Sequence, residues 1–339
     1  MSTSILRTAD AWWVATAAGA ATRIATDAQT TAELLADPTA TANAIANAIA
    51  NAHAAARAAA GISGETVPVA SLALVSPVTA PCRVVAQATN FASHVKDVGM
   101  NPQRIPLTFF RKASGSITGP YDDVIRPGQV RLLDYEVEIG LVIGRDMPVG
   151  TTITADNWTD YVAGLVVTND ISARDIQLSK TQFFESKSYP GFTPVGPALV
   201  LLERDELRRF DELRLRLWVN GEPRQNMPVG GDMLFPPVEA LRTLSGFQRL
   251  DPGDLVLTGT PVGTALSGGP APLRSIVSLL PPALKWKLVL PLQEKNRKYL
   301  HDGDVIEATV ATDDAALDLG RQRTTIRDAR STDPSGALR

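Results

Sequence analysis

Hydrophobic and polar positions alternate strictly from Asp134 to Ile139, and an apolar run then follows as far as Gly144. A period of two predicts a strand with one buried face. On such a strand Asp134, Glu136 and Glu138 point to one side, and Tyr135, Val137 and Ile139 to the other. Three carboxylates sharing one face of a buried strand repel each other and cost stability unless positive charge sits among them. A hard divalent cation such as Mg²⁺ answers that need, because it prefers carboxylate oxygens and leaves water positions open to a substrate. The plainer alternative is a half-exposed edge strand whose acids face water.

Further strand-like runs recur at 83–86, 109–110, 162–167, 198–202, 213–219, 255–258 and 305–310, separated by Gly/Pro turns. Asn220-Gly221 after an alternating run is a hairpin signal. Few helical patterns interrupt these runs, so residues 81–330 are expected to form a β-rich α+β catalytic domain, not a doubly wound sheet. Residues 1–80 are expected to form a smaller accessory region. It holds an alanine-rich helix over 37–61 with Ile45 and Ile49 on one face, a possible short strand at 69–75, and a proline-bounded linker at 76–81. An insertion is expected at about 266–300 and a tail at 331–339.

Composition narrows the classes. With 44% hydrophobic and 20% charged residues, the chain is expected to be a soluble globular protein. A formal net charge of -3, with both signs mixed along the chain, argues against nucleic acid and anionic membrane as partners. One cysteine, Cys82, excludes an internal disulfide and a thiolate metal site, and three histidines argue against a histidine-rich zinc centre. No secretory signal and no membrane-length apolar run are seen, so a cytoplasmic location is expected.

Four places carry candidate chemistry. Asp170 ends an apolar run, where it would be either a supported ligand or the N-cap of the following turn. His94 and Asp97 stand three apart in a helical stretch, so a carboxylate could orient an imidazole base, or the two could be a surface pair. Lys187 lies in a Pro- and Gly-constrained loop, as an oxyanion-stabilising group or a plain surface lysine. Gly259 and Thr260 lie in a Gly-rich turn after a buried run.

Taken in order, Asn90-Phe91-x-x-His94-x-x-Asp97, Asp134-Tyr135-Glu136-x-Glu138, Asn169-Asp170-x-Ser172-Ala173-Arg174-Asp175-x-Gln177, Ser186-Lys187-Ser188 and Leu257-Thr258-Gly259-Thr260-Pro261 resemble the fumarylacetoacetate hydrolase superfamily. The resemblance spans roughly 82–265 and 302–327. It implies a mixed β-roll or sandwich domain, a homodimer, and Mg²⁺, or Mn²⁺ or Ca²⁺, held by Glu136, Glu138 and Asp170. It also implies a keto acid or diketone substrate chelating that ion. By the same resemblance His94 and Asp97 form a water-activating dyad and Lys187 is the catalytic lysine. Arg174, Gln177, Tyr189, Gly259 and Thr260 are then substrate-side positions. Three departures point to an unusual substrate: Asp97 where relatives more often have Glu, Tyr189-Pro190 after the lysine motif, and Lys112-Ala113 in place of Lys-Pro.

The expected activity is metal-dependent hydrolysis of a carbon–carbon bond in a 1,3-dicarbonyl or acylpyruvate-type acid. The alternative is decarboxylation or enol–keto isomerisation of a 2-oxo acid at the same site, which needs no attacking water. A non-catalytic scaffold is the third reading.

Overall fold

The structure, a computed structural model, describes residues 2–16, 19–57, 66–180, 182–267 and 289–329, without the side chains of 51–57. The tail at 331–339 and most of the expected insertion at 266–300 lie outside the described residues.

Every strand-like run of the catalytic region forms a strand. The strand Val137–Ile143 pairs antiparallel with Val162–Asn169 on one side and with Leu255–Leu257 on the other. Leu255–Leu257 then pairs parallel with Val84–Ala88, and Thr108–Lys112 closes that end of the sheet. Beyond Val162–Asn169 come Leu199–Leu201, Thr3–Arg7, Trp12–Thr16, Ala20–Arg23 and Thr66–Pro68, giving ten strands in all. The three N-terminal strands were not legible in the sequence, and they continue the same sheet as the strands that carry the acids. A second sheet orders Glu222–Pro228, Leu213–Val219, Val305–Thr312, Asp318–Asp328 and Val124–Arg126. Its first hairpin turns at Asn220-Gly221, both at positive φ (53° and 78°), as the dipeptide predicts.

The two faces of the large sheet have different partners. Val137, Ile139 and Leu141 pack with Leu213, Leu215, Leu217, Ile306 and Val310 of the second sheet. Val142, Val84, Ala86 and Leu255 pack with Leu34 and Leu35 of the helix Thr31–Ala36 and with Ile45 and Ala48 of the helix Pro38–Arg57. The alanine-rich helix therefore exists, with Ile45 buried as its spacing requires. Its N-terminus is tied by the Asp37 carboxylate, which accepts from Ala40 N at 2.9 Å.

The strand expected at 69–75 does not form. Leu72 N donates to Val69 O and Leu74 N to Leu72 O, both at 3.0 Å, so the apolar run closes on itself in turns and offers no ladder to a neighbour.

Close approach of backbones fixes one glycine. A Cβ at Gly164 would lie 2.2 Å from the Val200 carbonyl oxygen across the strand pair. Gly164→Ala should therefore destabilise the protein by about 2–3 kcal/mol through overpacking, read as a lower chemical-denaturation midpoint with an unchanged slope.

Candidate metal centre and active site

Two strand ends, zipped together, build the acidic cluster. Glu136 N donates to Asn169 Oδ1 at 2.9 Å, and Asp170 N donates to Glu136 O at 2.8 Å. Those bonds bring Glu136 and Asp170 to the same end of the strand pair as Glu138. One oxygen from each of Glu136, Glu138 and Asp170 lies within 4.8 Å of the others, and all three residues are buried. The edge-strand alternative fails, because all seven residues of Val137–Ile143 are buried between two neighbours.

Asp134, the first acid of the row, is not part of this trio. Pairing is interrupted at Tyr135 and Glu136, so Asp134 belongs to a separate two-residue bridge with Ser172-Ala173. Its carboxylate accepts from Ala265 N at 2.8 Å, Leu266 N at 3.0 Å and Arg174 Nε at 2.8 Å. Nor is Asp170 a helix cap. The helix Arg174–Ser179 has no side-chain cap, and the Asp170 carboxylate is taken up by Lys112 and Lys187.

Cations interleave the acids. Lys187 Nζ donates to Glu136 Oε2 and to Asp170 Oδ2, each at 2.6 Å, from the end of the short helix Phe184–Lys187. Arg174 reaches Asp134, Glu136 and Gln177, the last at 2.7 Å. Lys112, whose role the sequence did not reveal, donates to Asp170 and, at 2.9 Å, to Phe192 O. The sequence signal was present: a lysine closing the strand Thr108–Lys112, where a side chain alternating inward must find an acid.

Glu138 is different. It accepts from Gly259 N at 2.7 Å, and no cation bonds to it among the described residues. Burial, then the Asp170 and Glu136 charges, push its pKa well above the usual carboxylate range. For Glu136 burial acts in the same direction, but Arg174 and Lys187 outweigh it and hold the carboxyl low. Lys187 is held above its ordinary value because Asp170 and Glu136 overcome its burial, so it stays protonated. A buried trio of carboxylates with one uncompensated member suits a hard divalent ion, which would supply the missing charge.

A pocket of about 230 Å³ opens onto this cluster, lined in part by Glu136, Glu138, Arg174, Gln177, Lys187, Gly259, Thr260 and His94. Gly259 has φ +84°, and a Cβ there would meet Asn90 Cβ at 2.8 Å, so its N–H approaches Glu138 only because the residue is glycine. Thr260 Oγ1 donates to Val137 O at 2.9 Å and accepts from Gln225 Nε2 at 2.8 Å, a buried glutamine the sequence gave no reason to choose. The helix Ala92–Asp97 presents His94. Asn90 anchors it through Phe235 N, Phe235 O and Thr258 O at 2.8, 3.0 and 2.8 Å, and Asp232 accepts from Ser93 N at 2.8 Å.

Two expected positions stand apart. Asp97 makes no hydrogen bond to His94, whose Nδ1 is buried without a partner. Burial lowers the His94 pKa, against the opposing pull of Glu136, so the ring is neutral. Tyr189 does not line the pocket; its hydroxyl lies 3.3 Å from both Gln129 Nε2 and Glu185 Oε1, and its ring packs on Phe192.

The family model for the fumarylacetoacetate (FAA) hydrolase C-terminal region matches residues 83–327, which contain every residue of this cluster. The chain belongs to the fumarylacetoacetate hydrolase family. Among curated relatives, a mitochondrial oxaloacetate tautomerase of Rattus norvegicus is 36% identical over 201 residues, 59% of this chain and 62% of the relative. A mitochondrial oxaloacetate tautomerase of Homo sapiens is 36% identical over 202 residues, again 62% of its length. The match thus spans about three-fifths of those relatives. Among solved structures, a probable 2-hydroxyhepta-2,4-diene-1,7-dioate isomerase from Mycobacterium abscessus has TM-score 0.70 and 29% identity, covering 97% of this chain and 99% of that one. A fumarylacetoacetate hydrolase from Exiguobacterium antarcticum shares the fold at TM-score 0.66 and 24% identity, covering 96% and 99%. Members of this family are enzymes, and the buried acidic trio is the part of the chain suited to a divalent metal. No helix among the described residues is long and apolar enough to cross a membrane.

Glu138→Gln tests the charge balance. It should raise the melting temperature of the metal-free protein and abolish the further rise on adding Mg²⁺ or Mn²⁺. In the unsubstituted protein that rise corresponds to about 2.7 kcal/mol at a hundredfold excess over Kd. The sign with pH follows from the raised Glu138 pKa. The metal-free protein keeps this contribution below the unfolded carboxyl value, near ~4.3, and loses it as pH rises through the folded value. An incoming ion must displace that proton, so apparent metal affinity should rise with pH. Scanning fluorimetry reads both effects; a metal-dependent shift that survives Glu138→Gln would contradict the assignment.

Proposed function

We propose that the chain is a divalent-metal-dependent enol–keto isomerase of a 2-oxo acid. The observation that carries this reading is the placement of His94: it lines the pocket and is not hydrogen-bonded to Asp97. Hydrolysis, the first expectation from the sequence, asks for a base that a carboxylate orients towards water. Isomerisation asks only for a neutral group that can take a proton from one atom of the substrate and return it to another. The tautomerase and isomerase names of the relatives support the same choice.

A divalent ion held by Glu136, Glu138 and Asp170 would supply Lewis-acid polarisation of the 2-oxo group and acidify the neighbouring C–H bond. His94, which lines the pocket, moves the proton between the enol hydroxyl and C3. Lys187 stays cationic between Glu136 and Asp170 and balances the charge that develops on the enolate oxygen. Arg174, locked on Asp134 and Glu136, keeps the Glu136 carboxylate in place and ionised. The apolar side of the pocket limits water near the enolate.

The test follows the enol absorbance of two 2-oxo acids with unlike arms, oxaloacetate and phenylpyruvate, with Mg²⁺ and then with excess EDTA. Products are identified by mass. Metal-dependent loss of enol at conserved mass is expected. His94→Ala should lower that rate by about 10²–10⁴-fold, while Asp97→Asn should leave it within about threefold. Cleavage of an acylpyruvate into pyruvate and a free acid, lost equally in Asp97→Asn and His94→Ala, would restore hydrolysis and the dyad.

A further inference from the structure

The pocket is lined by two unlike sets of residues. Beside the charged groups the lining also includes Val98, Met100, Phe110, Leu178, Phe183 and Leu266. Phe110 and Phe183 pack edge to face with centroids 5.5 Å apart, and Lys187 Nζ lies 5.4 Å from the Phe110 ring. Met100 is 43% exposed, so apolar surface is left to water where a bound ligand would cover it.

No cation lining the pocket, among the described residues, is left over for a second acidic group. Arg174 is already paired with Asp134 and Glu136 and bonded to Gln177, and Lys187 is already paired with Glu136 and Asp170. In the cluster as a whole Lys112, Arg174 and Lys187 face Asp134, Glu136, Glu138 and Asp170, three cations against four carboxylates. A second carboxylate would meet the apolar side chains of the pocket with no unpaired cation among the described residues to receive it. Gln87 is a further polar residue of the lining. It is 2% exposed and donates Nε2 to Phe235 O at 3.2 Å, which leaves a buried Oε1 with no partner.

We infer that the substrate is a 2-oxo acid with one carboxylate, whose arm beyond C3 is uncharged and apolar, aryl or branched alkyl, and lies against Phe110 and Phe183. The inference rests on the proposed reading for the oxo-acid head. It sets this chain apart from relatives whose names carry dicarboxylates, oxaloacetate and 2-hydroxyhepta-2,4-diene-1,7-dioate.

Titration calorimetry of the Mg²⁺-loaded protein tests it with three probes: pyruvate for the head alone, oxaloacetate for the head with a carboxylate arm, and phenylpyruvate for the head with an aryl arm. Phenylpyruvate should bind at least about tenfold tighter than pyruvate, the gain from burying a ring, and oxaloacetate no tighter than pyruvate. Phe183→Arg should narrow or reverse the order of phenylpyruvate and oxaloacetate; if that variant does not fold, the order in the unsubstituted protein decides alone. Oxaloacetate binding as tightly as phenylpyruvate would overturn the inference. The expected order with no enol conversion would sustain this pocket assignment and sink the isomerase reading. Absence of binding by all three would overturn both.

Discussion

Four carboxylates and three cations buried against one another are the constraint on which the rest of the site depends. Ions sealed inside a protein survive only where partners and hydrogen bonds replace water. Lys187 and Arg174 each span two carboxylates, and Lys112 closes the set from the far edge of the sheet. The network is complete except at Glu138, where a backbone N–H is the one hydrogen-bond donor among the described residues. One uncompensated acid inside a fully connected cluster is a stored preference for an added positive charge. The raised pKa of Glu138 and the suitability of the trio for a divalent ion are two expressions of that one fact.

The sheet turns this chemistry into geometry. Odd-numbered residues of Val137–Ile143 close the core between the two sheets, which leaves Glu138 and Val142 on the other face. Glu138 is paired with Thr168 in one ladder, and its carboxylate is held from the other side by Gly259 N, so its position is not set by its own rotamer preference alone. Adjacent strand ends and the Gly259 turn then complete the floor, while helix and loop residues supply the wall. Rigid elements thus hold the charged groups, and the more exposed residues, Met100 among them, meet the part of a ligand that varies.

Much of this was legible in the chain. Apolar runs and turn dipeptides located every strand that carries the site, and Asn220-Gly221 gave its hairpin to the residue. The acids were legible as a set of motifs, since Glu136, Glu138 and Asp170 do converge. What period two could not show is the interruption at Tyr135 and Glu136, which sends Asp134 to Arg174 and out of the trio. The N-terminal strands escaped because short Ala- and Thr-containing segments carry little pattern, and the first of them joins the sheet by pairing with residues nearly two hundred positions away. Lys112 and Gln87 escaped for a related reason: their roles are defined by partners far along the chain, such as Asp170 and Phe235. The pairing of His94 with Asp97 was the opposite case, a local spacing that promised a contact the fold does not make.

The most direct test of the central claim is an anomalous-difference map from a crystal of the protein soaked in Mn²⁺. A single strong peak is predicted, bonded to one oxygen each from Glu136, Glu138 and Asp170, with the Glu138 carboxylate in place of its present lone backbone donor as the newly engaged group. A peak elsewhere with this trio unligated, or no peak at a concentration that stabilises the protein, would contradict it.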